Sequence, residues 1–185
     1  MIKDLGYGIS VRDDSVRNHH MIREMVEDIS FPWYFNRTSI DQKDEVNHQN
    51  KYQFTHSMIQ DGEVTANLIM PSRNSEILRC FDEIPEFNNM RLVRAKFNLT
   101  VPYKQRTMPL PHRDYTNPRA VSYLYYVNTS DGQTTFYINR WKRIKVEPKQ
   151  GRIVRFPGNL RHGSGLPYEY DRRIVFNLLF IPYGE

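Results

Sequence analysis

The 185-residue chain has one cysteine, Cys80, so it cannot form an internal disulfide and must rely on packing for its stability. No stretch approaches the roughly 18 apolar residues of a bilayer span, so a transmembrane helix is not expected. The opening Met1-Ile2-Lys3-Asp4-Leu5-Gly6 lacks the apolar run of a secretory leader, and the expectation is a soluble, cytoplasmic protein. Internal repeats and low-complexity tracts are also missing, which removes solenoids and disordered linkers.

What the chain has in quantity is aromatic residues, 13% of the total, with 12 Tyr and 10 Phe. That content favours sheet over a helical bundle. The length suits one domain with a sizeable core and is short for two. The formal net charge is +5, and a basic balance can mark an acidic partner. Most Lys and Arg are dispersed. The one local concentration, Arg140-Trp141-Lys142-Arg143 with Lys145, reads first as a solvated hairpin edge blunted by cations, and second as a contact for an anion.

The patterning changes along the chain. Asp13-Asp14-Ser15 can cap a helix in which Met21, Ile22, Met25, Val26 and Ile29 recur at helical spacing, with His19 and His20 on its surface. Phe31 to Tyr34 starts an extended stretch, 40–51 is a polar loop, and Tyr52 to Met58 is a strand in which His56 is structural. A second helix is capped by Ser72 or Ser75 and carries Ile77, Leu78, Phe81 and Ile84 on one face. From there the period is two. Val93, Ala95, Phe97, Leu99 and Val101 alternate with polar residues, and strands follow near 120–128, 133–138, 143–147, 151–156 and 172–180. Helices followed by many short strands predict a mainly β fold, a curved antiparallel sheet or jelly roll backed by N-terminal helices.

Chemistry concentrates in His112-Arg113-Asp114, His162 and Arg173. Strand alternation lets His112 and Asp114 point the same way, and His162, following Pro157-Gly158-Asn159, is expected to approach from the opposite wall. Two imidazoles and a carboxylate can occupy one face of a metal and leave other positions open, a set suited to non-haem Fe(II). A kinase catalytic loop, which also reads His-Arg-Asp, is excluded because no glycine-rich nucleotide loop and no Asp-Phe-Gly accompany it. No glycine sits two residues before Ser164, as a nucleophile elbow requires, so serine hydrolysis has no support. In the last strand Arg173, Val175, Asn177 and Leu179 share one face, and Ile174, Phe176, Leu178 and Phe180 share the other. A buried guanidinium at Arg173 needs a carboxylate, either from a bound organic acid or from the protein, and a shifted register would substitute Arg172.

The order His112-x-Asp114, His162, Arg173, with Gly151 to Gly158 between and Tyr125 to Thr134 before it, resembles the Fe(II)- and 2-oxoglutarate-dependent oxygenases. It looks closest to the prolyl-hydroxylase-like branch, and in particular to small members from bacteriophages and marine bacteria. The resemblance covers roughly residues 90–182. It implies a double-stranded β-helix, cupin-like, with 1–90 as a supporting region and 91–182 as the core of a single domain 1–185. It also implies His112, Asp114 and His162 as iron ligands and Arg173 as the anchor for 2-oxoglutarate, with Tyr126 and Asn98 beside it.

The reaction so implied is hydroxylation of a C–H bond using dioxygen and 2-oxoglutarate, since halogenating relatives lack the carboxylate ligand that Asp114 supplies. Prolyl or another amino-acyl residue is the first expectation for the substrate. A small metabolite stays open, and nucleic acid is less favoured because demethylating relatives carry a second arginine where this chain has Leu179. The location implied is the cytoplasm, a host's if the gene is a phage's. Two other readings keep the same residues: a jelly roll that binds without catalysing, and a cupin-type metal hydrolase or isomerase. Specificity is expected in the loops 40–50, 104–111 and 139–143.

Overall fold

The computed structural model describes residues 1–14, 16–36, 52–65, 71–103 and 111–184, without the side chains of Pro71 and Ser72. All the strand pairings in it are antiparallel. The central element is β12 (Arg173–Pro182), buried along nearly its whole length, between β6 (Met90–Thr100) and β7 (Val121–Tyr126). Beyond β6 lie β4 (Gln53–Gln60), β3 (Tyr34–Asn36) and, beside β4, β5 (Glu63–Val64). Beyond β7 lie β10 (Ile153–Pro157), β2 (Ile9–Arg12) and β1 (Ile2–Gly6). A smaller sheet runs β11 (His162–Ser164), β8 (Thr134–Tyr137), β9 (Arg143–Val146). The two-sheet, antiparallel layout is that of a jelly roll.

The alternation in β12 sorts its side chains as expected. Ile174, Phe176, Leu178 and Phe180 enter one core with Ile22 and Val26 of α1 (His19–Glu27) and Ile77 of α2 (Pro71–Arg79). Phe81, just past α2, completes it, and the Phe97 and Phe176 rings stack at 4.2 Å. Val175 enters a second core with Leu124, Tyr126, Phe136, Val154 and Phe156. Each fully buried side chain of this kind contributes about 1.5–3 kcal/mol. The helices therefore cover one face of the large sheet and leave the other for the small sheet and the site.

Four expectations need correction. Helix α1 begins after Asn18, which adopts a left-handed conformation, and not at Asp13-Asp14-Ser15. Asp13 instead pairs with Arg152 and Lys149, and Ile29 falls beyond the helix, fully exposed. Ser72 and Ser75 lie inside α2, whose first residue is Pro71, a position where the missing N–H of proline costs nothing. Val101 lies past the end of β6 and is 39% exposed. Finally, the chain starts with a hairpin, not a helix. Gly6-Tyr7-Gly8 turns through three positive φ angles, and β2 then extends the large sheet by pairing with β10. At Gly8 a Cβ would lie 2.9 Å from the Pro157 ring, so glycine is needed there twice over. The expected loop 40–51 lies outside the described residues, and so does 104–110 of the expected loop 104–111.

Candidate metal centre

His112 and His162 are neighbours, each donating its backbone N–H to the other's carbonyl at 2.8 and 2.9 Å. In such an antiparallel pair both side chains leave the same face. His162 thus comes in beside His112, on an adjoining segment, and not from the opposite wall as the sequence suggested. The imidazole centroids are 4.5 Å apart. The next segment keeps its course because Asp114 and Tyr115 both donate to the carbonyl of Gly158, at 3.1 and 3.0 Å. One ligand atom each from His112, Asp114 and His162 falls within 4.8 Å of the others.

The chemistry of these three groups suits a divalent metal. His162 is 2% exposed, and its Nδ1 lies 3.0 Å from the Leu160 carbonyl. A carbonyl only accepts, so Nδ1 bears a hydrogen and Nε2 is the nitrogen turned to the site. Nε2 stands 3.7 Å from Asp114 Oδ2. Burial by itself would raise the Asp114 pKa. His162, Arg94, His112 and the Ser122 hydroxyl overcome that and hold the carboxyl well below its usual range. The site therefore offers a carboxylate and two imidazoles, the donor types a divalent metal binds once their protons are released.

Asp114 is fixed by residues to which the sequence reading assigned no role. Arg94 of β6 forms an ion pair with Oδ1, and Ser122 of β7 donates to Oδ2 at 2.7 Å. Asn177 of β12 lies 3.5 Å from Oδ2 and accepts from Arg94 Nε at 3.0 Å. Three adjacent strands of the large sheet thus hold the Asp114 carboxylate. The available signal was a polar residue within an apolar strand: Ser122 in Val-Ser-Tyr-Leu-Tyr-Tyr and Asn177 in Ile-Val-Phe-Asn-Leu-Leu-Phe.

Arg173 lies on the same face of β12 as Asn177, two pleats away. It is 2% exposed, and among the described residues no carboxylate pairs with it. Its Nη2 donates to Thr134 Oγ1 at 3.0 Å, its guanidinium lies 5.6 Å from the Tyr126 ring centroid, and its Nε has no partner. Tyr126 is fully buried and donates to the same Thr134 hydroxyl at 2.7 Å. Burial lowers the Arg173 pKa against the opposing influence of Tyr126, and burial raises that of Tyr126 against the pull of Arg173. Asn98 is half-buried and sits opposite Val175, hence on this same face. Arg172 projects elsewhere, pairing with Glu27 of α1 at 2.9 Å and with Asp171, so the register is the one that sends Arg173 inward.

No family model matches the chain, and no curated protein matches it in sequence. Solved structures do match in shape. It shares the fold of the prolyl hydroxylases and related 2-oxoglutarate oxygenases. A prolyl-4-hydroxylase from Pseudomonas putida is 16% identical with a TM-score of 0.58, the match covering 96% of this chain and 94% of that one. A prolyl hydroxylase from Trichoplax adhaerens, solved with a peptide fragment of the oxygen degradation domain of hypoxia inducible factor, is 16% identical with a TM-score of 0.59, covering 95% and 84%. A 2OG-Fe(II) oxygenase family oxidoreductase from Burkholderia pseudomallei is 11% identical with a TM-score of 0.64, covering 94% and 84%. No described helix is long and apolar enough to cross a membrane.

Proposed function

We propose that the chain is an Fe(II)- and 2-oxoglutarate-dependent dioxygenase that hydroxylates a C–H bond, with His112, Asp114 and His162 as the metal ligands. The observation that carries this reading is Arg173: a buried guanidinium with an orphaned Nε, on the sheet face that also holds Asp114. A buried cation without a carboxylate is costly, and the distal carboxylate of 2-oxoglutarate would supply the missing partner bidentately. When bound, the metal and co-substrate would supply the oxidising power for the C–H bond.

The protein's own residues do the rest. Arg94, Ser122 and Asn177 keep Asp114 ionised and in place. The Leu160 carbonyl fixes the tautomer of His162. Thr134 and Tyr126 aim Arg173, and Asn98 is assigned to the same co-substrate pocket. Phe136 and Phe156 pack against the His162 ring, with centroids at 6.0 and 4.7 Å, and keep water from that side of the ligands. A prolyl or other amino-acyl residue is the proposed target, supported by the likeness to two prolyl hydroxylases, one of them solved with a peptide.

The test is conversion of 2-oxoglutarate to succinate with Fe(II) and dioxygen, first alone and then with proline-containing peptides. Wild type should turn over, and Asp114→Ala and His162→Ala should neither turn over nor bind Fe(II) in anaerobic titration. Equal turnover in those variants would refute the ligand assignment. Full activity in Arg173→Ala would point to a cupin-type enzyme with no need of an acid anchor.

A further inference from the structure

The opposite face of the segments that carry the two histidines bears a row of cations. The pairing His112 with His162, continued by one residue, sets Arg113 against Arg161. The pairing His162 with Phe136 sets Arg161 against Tyr137, whose N–H donates to the Arg161 carbonyl at 2.8 Å. Tyr137 in turn pairs with Arg143. By strand alternation all four project away from the histidines. With Arg140 on the β8–β9 turn they line an open cavity of about 690 Å³.

Four arginines and no acid line this cavity, and among the described residues no carboxylate pairs with any of the four. Like charges set directly opposite one another across neighbouring strands are destabilising, so the row stores repulsion that an anion would relieve. Aromatic planes lie among the cations. Trp141 is 85% exposed with the Arg140 guanidinium 5.1 Å from its ring, and the Arg143 guanidinium is 5.3 Å from the Tyr137 ring. The chain as a whole has a pI near 9.3. Basic charge gathered on one face of a domain with pI above about 9 is the electrostatic footprint of nucleic-acid binding. Arginines that track phosphates, combined with an aromatic side chain on which a base can stack, are the means by which single strands are held.

We propose that this outer face docks single-stranded nucleic acid, with Arg113, Arg140, Arg143 and Arg161 on the phosphates and Trp141 stacking on a base. The site is separate from the proposed metal centre and does not depend on it. It also makes no claim that a nucleobase is oxidised there. An acidic polypeptide would be drawn by the same arginines but would have no use for the indole, and that difference decides the test.

A short fluorescein-labelled oligothymidine would be titrated with the full chain by anisotropy at about 50 and 200 mM salt. With four phosphate contacts and a slope of about −0.7 per contact for single strands, affinity should fall about 50-fold over that range. In Arg140→Gln/Arg143→Gln the fall should shrink to about sevenfold, while a control of equal charge change, Lys3→Gln/Arg79→Gln, should keep the wild-type slope. Trp141→Ala should weaken binding about 5- to 150-fold, the range found for loss of one stacked base. Absence of binding at low salt, or a slope unaltered in the arginine variant, would overturn the proposal. So would equally tight binding of polyglutamate with no effect of Trp141→Ala, which would assign the face to an acidic protein. Thermal melting establishes that each variant is folded, and uncoupled 2-oxoglutarate turnover, read separately, tests the metal centre and not this surface.

Discussion

Replacing Arg173 by methionine should leave the protein at least as stable as wild type while removing its grip on 2-oxoglutarate. Desolvating a buried cation costs several kcal/mol even after relaxation. Against this the folded chain sets one charged hydrogen bond to Thr134, worth about 1.5–3 kcal/mol, and the Tyr126 ring, worth about 2 kcal/mol when desolvated. These terms nearly cancel. The methionine brings apolar burial of similar shape, and Thr134 keeps Tyr126 as a partner, so no polar atom is orphaned. The expected change lies between zero and about 2 kcal/mol of added stability, or up to about 8 °C in Tm for a chain of this size. Had Arg173 been one half of a structural ion pair, its loss would cost about 3–5 kcal/mol. The co-substrate tells the opposite story. Losing one partner of a buried charge pair costs about 2–5 kcal/mol, so 2-oxoglutarate binding should weaken about 30- to 5,000-fold. Saturating 2-oxoglutarate with metal should raise the wild-type Tm, since a ligand at 100 times its Kd adds about 2.7 kcal/mol, and should not raise that of the variant. Differential scanning fluorimetry with and without 2-oxoglutarate reads both effects. A variant melting 10 °C lower, or one still stabilised like wild type, would refute the assignment.

Gly132→Ala should act on the same pocket indirectly, because its Cβ would fall 2.7 Å from the Gly165 carbonyl oxygen and 2.9 Å from Arg173 Cδ. Such overpacking costs about 1–3 kcal/mol, and displacement of the arginine stem should raise the KM for 2-oxoglutarate more than it lowers Tm. Glu86→Ala should destabilise by about 3–5 kcal/mol, since Glu86 is 6% exposed and accepts from Tyr123 at 2.5 Å and from Arg155 at 3.0 Å. A urea midpoint within error of wild type would contradict it. The pair of Asp13 with Arg152 predicts a weak acid dependence. The Arg152 hydrogen bonds, opposed by partial burial and aided by Lys149, lower the Asp13 pKa from 3.8 to about 2. A depressed carboxyl stabilises the fold above its unfolded pKa and loses that contribution as pH falls toward 2. Asp13→Asn should therefore melt below wild type at pH 6 and converge with it near pH 2, and a constant difference across that range would exclude the pairing.

How far the sequence could be read depended on whether a feature was local. The period-two pattern of 173–180 sorted its faces correctly because a strand buried on both sides has to alternate apolar sets between two cores. That His112, Asp114 and His162 would come together was legible, because turn residues and spacing mark the ends of short segments. The backbone pairing of His112 with His162 was not legible, since register between segments so far apart in the chain leaves no local trace. The helix start was misplaced for a related reason. Asp13 has the chemistry of a cap, but Arg152, distant in sequence, competes for it with two charge-assisted hydrogen bonds at 2.6 and 3.0 Å. A cap is worth about 1 kcal/mol, so a bidentate arginine outbids it.

The same logic explains why Arg94 escaped notice. On the polar side of a half-buried strand it looked like any solvated arginine. Its role arises from the antiparallel pairings that bring Ser122 and Asn177 alongside and set Asp114 over all three. The consequence is that the Asp114 carboxylate is charge-balanced by the protein itself. Arg94 lies only 21% exposed and compensates a carboxylate that burial would otherwise neutralise. A metal that binds here adds positive charge next to Arg94, and so meets less attraction than a bare carboxylate would offer. Arg94→Gln should therefore lose stability in the metal-free protein, where a buried carboxylate loses its counter-charge at about 3 kcal/mol or more. It should lose less when Fe(II) is present, because the metal replaces the missing cation. Thermal melts of Arg94→Gln and wild type, each with and without anaerobic Fe(II), measure that coupling directly. If the metal stabilises both by the same amount, Arg94 and the metal do not share Asp114, and the site must be drawn differently.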